Sequence, residues 1–489
     1  MMQQGLIPGE GSRGRQGTAG PGALLALCAA QFIVVLSFQG AAITIPLMQG
    51  AFGASPVVGQ WLVSANALAF GGLLLLTGRA GDVIGHRRLF MSGLAMFAAS
   101  SCVAGFAPSI GWLIVARVAQ GMGLAMYVPA CLALLVASYR EGPPRHRAMA
   151  AWGMSGPLGG IAALLCSGFM IEVFTWRSLY LLMAVAAVLP VALSRVVFPP
   201  DSPRAAATLD PGNALLGTAG IGALLFGLGE AAQSGLTPRV LGSALLGGLL
   251  LLTFVVRERR GAAPLVPPGM WGEPGLRAAI ATGFMNGAAT NTPIVFYVLY
   301  LQGQGMTPLQ TSLGFIPCNI AIIVASVLVP RLVARRGLVG AMAWGMAVVV
   351  AGLLVFTTLP LGGTYLCTFL PGLLLVGFGL GWAQVGIVGT AAESVSAAEQ
   401  GVAAGLVNTG AQLGTAVGLA LLIALATTFG SGAGTVVGAS VAFLGAAGFA
   451  LLGLLAALVA CRAHRDARMA TEGASGVRQT WVRLEEARG

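Results

Sequence analysis

Residues 78–88 read GRAGDVIGHRR, a stretch with four charged residues and three glycines set between two long apolar runs. Upstream stands VVGQWLVSANALAFGGLLLLT and downstream LFMSGLAMFAASSCVAGFA. Gly78, Gly81 and Gly85 permit a tight turn and close helix approach. Asp82 is expected to end one helix, and Arg87 and Arg88 to begin the next. The stretch therefore reads as a short polar turn joining two membrane-spanning helices.

The rest of the chain agrees. It is 57% hydrophobic and 8% charged over 489 residues, against about 25% charged in soluble domains. That leaves too little polar surface to cover a water-soluble body and points to a polytopic membrane protein. All 26 basic residues are arginine, a skew that fits a GC-rich bacterial genome. The seven cysteines stand singly, with no CxxC pair, and the three histidines lie in charged connectors, so no metal site is expected. No Gly-x-x-x-x-Gly-Lys-Ser/Thr loop occurs, which excludes ATP-driven transport by the chain itself. No cofactor is expected, and a membrane-embedded enzyme lacks the buried histidine, HExxH or acidic pair it would need.

A helix crosses a bilayer with about 20 apolar residues. Fourteen such runs are marked, at 23–47, 58–77, 89–107, 112–138, 148–171, 177–198, 211–230, 239–257, 276–302, 309–330, 339–359, 365–391, 400–428 and 434–460. With the N-terminus in the cytoplasm and sides alternating, 23 of the 26 arginines fall on the inner side. Arg177 and Arg239 fall outside, and Arg117 lies within a span. This is the positive-inside pattern. The net charge of +11 is accounted for by topology, with no nucleic acid required. Both ends are expected in the cytoplasm, residues 1–22 as an N-terminal segment and 461–489 as a tail, and the protein in the cell membrane.

G-R-x-x-D-x-x-G-x-R-R between the second and third spans resembles the signature loop of the major facilitator superfamily. Fourteen spans with both ends inside resemble its fourteen-span drug:proton antiporter branch. QWLVSANALAFGGLLLLTGR, ARVAQGMGLAMYVPACLALL, WRSLYLLM and LVNTGAQLGTAVG also look like that branch. The resemblance implies an all-α major facilitator fold of two six-helix bundles, residues 23–198 and 276–460, with 211–257 as two extra linking helices. It implies secondary active efflux of amphipathic small molecules by alternating access, driven by protons, in a monomer. It also implies a gating role for Gly78, Arg79, Asp82, Gly85, Arg87 and Arg88. An internal repeat fits the two halves: RAGDVIG (79–85) aligns with RLVARRG (331–337), with Ala334 in place of Asp82. The second loop is expected to be the weaker latch.

Two departures bear on coupling. The branch usually carries an aspartate in its first span; here LSFQGAAITIP places Ser37 at that position and Ala42 at a usual asparagine. GPLGG, Gly156 to Gly160, stands seven residues before its usual place in the fifth span. Few acids remain in the spans, and Glu230 is either a coupling group or a solvated loop end. An uptake permease or uniporter of the same fold is the alternative function. Arg117, with Gln120 three residues on, is either a structural hydrogen-bond donor or a coupling group. It is costly at membrane depth, about 2.5–3.5 kcal/mol by insertion scales. Gln31, Gln39, Asn66, Asn286, Asn291, Asn319, Gln384, Asn408 and Gln412 are candidates to line a cavity or to bond between helices. With one cation and few anions available, neutral or anionic substrates are favoured. Gly410, Gly414 and Gly418 read as a close packing face. Trp61, Trp112 and Trp176 read as interface anchors, and Trp382 and Phe296 as groups that stack on a ligand.

Overall fold

The computed structural model describes residues 20–140, 143–201, 211–234, 237–260, 268–290, 293–358, 365–396, 399–429 and 435–486. Every regular element among them is helical. This follows from the composition, since in hydrocarbon each backbone N–H and C=O needs a partner, and a helix supplies it within its own segment. The helices are α1 (Pro21–Phe52), α2 (Pro56–Ile84), α3 (His86–Gly105), α4 (Ile110–Ser138), α5 (Pro143–Val173), α6 (Trp176–Val197), α7 (Pro211–Ser234), α8 (Pro238–Arg260), α9 (Pro274–Thr290), α10 (Pro293–Gly303), α11 (Pro308–Phe356), α12 (Leu370–Glu393), α13 (Gln400–Phe429) and α14 (Val436–Glu486). Ten helices among the described residues are long and apolar enough to cross a membrane, and Trp61–Leu74 and Leu215–Gly227 are shorter apolar stretches.

Prolines open many of these helices, where the missing N–H has no helical partner to lose. The helices run past the apolar stretches by a turn or more, which corrects the expected turn at 78–88. Asp82 does not end a helix: α2 continues to Ile84, and Gly85 alone separates it from α3. Likewise α11 is a single run of 49 residues broken only at Gly337 (φ 70°, ψ 176°). The expected ninth run appears as α9 and α10, with residues 291 and 292 between them outside the described set.

Helices α1 to α6 pack on one another, most extensively α3 on α4, α2 on α4 and α3 on α6. Helices α9 to α14 do the same, led by α11 on α12, α9 on α13, and α14 against both α9 and α11. Aromatic rings mark both interiors: Phe90 and Phe97 stand edge-on to Tyr127, and Phe369 contacts Tyr297, Tyr300 and Phe356. Two seams join the sets, α2 with α13 and α5 with α11. The α7–α8 hairpin leans through α7 on α2 and α13.

The glycine face on α13 packs closely against α9. A Cβ on Gly414 would collide with the Phe284 carbonyl, and one on Gly418 would meet Ala288 at 2.7 Å. Trp112 is exposed, as an interface anchor should be, but Trp176 is buried against Phe52 and Tyr180, with the Arg177 guanidinium 4.5 Å from its ring centre. Phe296 is fully buried too, so it has no face to offer a ligand.

Candidate functional site

The turn within residues 78–88 is a one-residue hinge. Gly85 has φ 104° and ψ 136°, a backbone region that side chains rarely tolerate. The Asp201 carboxylate sits where a Gly85 Cβ would stand. Its two oxygens accept from the backbone N–H groups of Arg87 at 3.1 Å and Arg88 at 2.9 Å. An anion thus caps the positive end of α3. In return Arg87 Nε and Nη2 donate to the carbonyls of Ser194 (3.3 Å) and Arg195 (2.9 Å) at the end of α6. Asp201 was missed by sequence reading, because it lies 114 residues from Arg87 with no local pattern around it. Gly78 lies about two turns before this hinge; Arg79 and Asp82 are on the same helix, with side chains outside the described set.

Arg117 is fully buried among α1, α2, α3 and α4. Nε donates to the Leu62 carbonyl at 2.6 Å. Nη1 donates to Gln120 Oε1 at 3.0 Å and to the carbonyl and hydroxyl oxygens of Ser37, both at 3.3 Å. Gln120 passes the network on to Ser101 at 2.8 Å. The α1 backbone widens into a π turn over Leu36–Gly40, so the Ser37 carbonyl that reaches Arg117 comes from a π segment, a feature frequent at functional sites. Hydrogen bonds involving a charged group contribute about 1.5–3 kcal/mol each, so two or three offset the cost of placing this arginine at depth. Nη2 is buried without a hydrogen-bond partner among the described residues. Asn66 belongs to the same structural cluster: it is buried and donates to the Arg117 carbonyl at 3.2 Å, the interhelix bond that was one of its two expected roles. Glu230 is half-buried near the end of α7.

The remaining polar candidates distribute along the seams. Gln39 Nε2 reaches Asn319 Oδ1 across the α5–α11 side at 3.5 Å, and the Gln39 Oε1 and Asn319 Nδ2 atoms are left without partners among the described residues. Gly160 lies against both amides. A cavity of about 10 Å³, lined by Gln39, Leu164, Tyr297, Val298, Thr311 and Phe315 among others, has room for about one water. Gln302 Nε2 donates to the Ile43 carbonyl at 3.2 Å, tying α10 to α1. On the other seam Gln412 packs against Gly71 and approaches Asn408 at 3.5 Å. Gln31 is half-buried beside Gly156, Gln384 is exposed, Asn286 is buried with an unpartnered Oδ1, and Asn291 lies outside the described residues.

Two helix sets joined by paired seams, with a signature loop at one end, describe a transporter architecture. The family model described as Major Facilitator Superfamily matches residues 27–419. The chain belongs to the major facilitator superfamily. It is a multi-pass cell-membrane transporter and not an enzyme. It is 36% identical over 420 residues to the cephamycin export protein of Amycolatopsis lactamdurans, covering 84% of this chain and 85% of the relative. It is 33% identical to the puromycin resistance protein of Streptomyces alboniger, covering 83% and 81%. The lincomycin resistance protein of Streptomyces lincolnensis is 30% identical, over 82% and 83%. Among solved structures, the peptide transporter PepTSo superposes with a TM-score of 0.69 at 14% identity, covering 92% of this chain and 99% of that one. The nucleoside transporter NupG gives a TM-score of 0.62 at 12% identity, over 90% and 99%. At such identities both likenesses concern the major facilitator fold.

Proposed function

We propose that this chain is a secondary active exporter of antibiotic-like small molecules, driven by the proton gradient. The observation that carries the reading is the 36% identity, over most of both chains, to a cephamycin export protein. Puromycin and lincomycin resistance proteins at similar coverage point the same way. The working unit is a monomer with fourteen spans. Residues 23–198 and 276–460 form two six-helix bundles, and 211–257 forms the linking pair. The arginine distribution supports a cytoplasmic side for the Gly85 end, both termini and the α14 extension. Alternating access moves one bundle against the other about the α2–α13 and α5–α11 seams.

The substrate is neutral and amphipathic. Arg117 is sealed within one bundle by carbonyls and amides, so it offers no charge at the seams. This removes the reason for expecting anions. Deeper along the seams Gln39, Asn319 and Gln412 supply neutral amides. Ser37 in place of an acid supports a second reading, an uptake permease or uniporter. Retention of an antibiotic panel in intact expressing cells separates the two. Export predicts lower retention than in control cells and recovery on adding a proton uncoupler. Higher retention, unchanged by the uncoupler, would establish the permease.

A further inference from the structure

The end of the molecule opposite Gly85 is closed by a carboxylate that serves the other bundle. Glu172 stands in the last turn of α5. Its Oε2 accepts from the Thr307 hydroxyl at 3.0 Å and from the Leu309 backbone N–H at 3.2 Å. Thr307 is the N-cap of α11. The first turn of that helix can be accounted for donor by donor. Gln310 N–H goes to Thr307 Oγ1 at 3.2 Å, and Thr307 N–H goes to Gln310 Oε1 at 3.0 Å. Pro308 has no N–H. The Leu309 N–H is the donor left over, and it is Glu172 that takes it. A helix N-terminus favours an anion, and this one receives its anion from a residue 137 positions away, in the opposite bundle.

Beneath this contact the seam has no space for a side chain. A Cβ on Gly168, one turn deeper on α5, would lie 2.7 Å from Ser312 Oγ and 3.0 Å from Leu309 Cα. Gly160, two turns deeper again, lies against Asn319. The cavity of about 10 Å³ between α1, α5, α10 and α11 is too small for more than about one water. Gln302 bonded to the Ile43 carbonyl closes the neighbouring helix pair at the same end. Parting the bundles here exposes the Leu309 N–H, the Thr307 hydroxyl and the carboxylate to water together.

We propose that Glu172 is a latch: by capping α11 across the α5–α11 seam it holds the extracellular end of the transporter shut. The proposal rests on the alternating-access reading above and adds the residue that sets how often that end opens. Thr307 is the partner that must be released. A latch of this kind biases a two-state equilibrium without touching substrate.

The test labels the seam from outside. Ser312→Cys, buried against Gly168, is introduced into a full-length background with the native cysteines replaced. Intact cells are treated with a membrane-impermeant maleimide while export is followed in parallel. The account expects Glu172→Gln and Thr307→Val each to raise the labelling rate about threefold to fivefold, the difference between a charge-assisted and a neutral or missing bond at an exposed site. The double variant should add little to either single one. Glu172→Asp, which keeps the charge, should recover part of the parent rate. Equal labelling rates in parent, Glu172→Gln and Thr307→Val would overturn the latch while leaving seam opening intact. No labelling in any variant while export continues would overturn both the latch and access through this seam.

Discussion

The two sets of packed helices carry the same hinge in different settings. Gly85 and Gly337 occupy equivalent places in the repeated RAGDVIG and RLVARRG segments, and both adopt positive φ, 104° and 70°. Each is a single residue around which the chain reverses between two helices. Around Gly85 the space is filled: Asp201 caps α3, and Arg87 binds the end of α6. Around Gly337 nothing among the described residues lies within 4 Å of where a Cβ would stand. There Arg336 lies over the Trp344 ring at 5.4 Å. The backbone geometry was duplicated and the bracing was not. The first loop is tied to α6 through Arg87, whereas at the second the following residue, Leu338, packs against Gly386 and Gly389 of α12.

Substitutions can break that comparison, and the largest effect is expected at the first hinge. Gly85→Ala combines an unfavourable backbone region, about 1–3 kcal/mol, with a collision against Asp201. Gly337→Ala suffers the first term alone. Thermal unfolding in detergent should therefore show a markedly greater loss for Gly85→Ala. Equal losses would mean that Asp201 does not brace the turn.

Next in size is Asp201→Ala, which removes the cap of α3 and should cost about 0.5–2 kcal/mol. The comparison sharpens in the double variant. Asp201→Ala removes the group that an alanine at 85 strikes, so the two losses should sum to more than the double variant shows. Strict additivity by the same unfolding measurement would separate the cap from the crowding.

A smaller loss, about 0.5–1.5 kcal/mol, is expected for Arg87→Ala, since its bonds to the Ser194 and Arg195 carbonyls are partly exposed. The smallest is expected for Trp344→Ala at the second hinge. An exposed cation–π contact contributes about 0.5–1 kcal/mol, so its removal should barely move the unfolding temperature. A large shift there would show that the second loop is braced after all.

Much of this architecture was legible in the residues. Apolar run length marked out the helices, and the signature loop and its repeat pointed to the superfamily. Gly410, Gly414 and Gly418 announced a close contact because their spacing puts them on one helix face. The site was less legible, for a physical reason. Arg117 is held by the carbonyls of Leu62 and Ser37, and a carbonyl carries no residue identity to read. Asn66 stands open between two roles in the sequence because a polar residue in an apolar run has the same signature whether it binds a substrate or a neighbouring helix. Asp201 and Glu172 act on helix ends 114 and 137 residues away, so no local pattern marks either one. The helix ends extended past the apolar runs because polar residues such as Asp82 continue a helix once it leaves hydrocarbon.

The most direct test of the whole account uses everted membrane vesicles from expressing cells, in which the cytoplasmic face and the Gly85 hinge point outward. With an acid interior imposed, a neutral antibiotic from the panel should accumulate inside the vesicles, and an uncoupler should abolish the accumulation. Accumulation that ignores the pH gradient, or loss of preloaded compound when the gradient is imposed, would contradict proton-driven export.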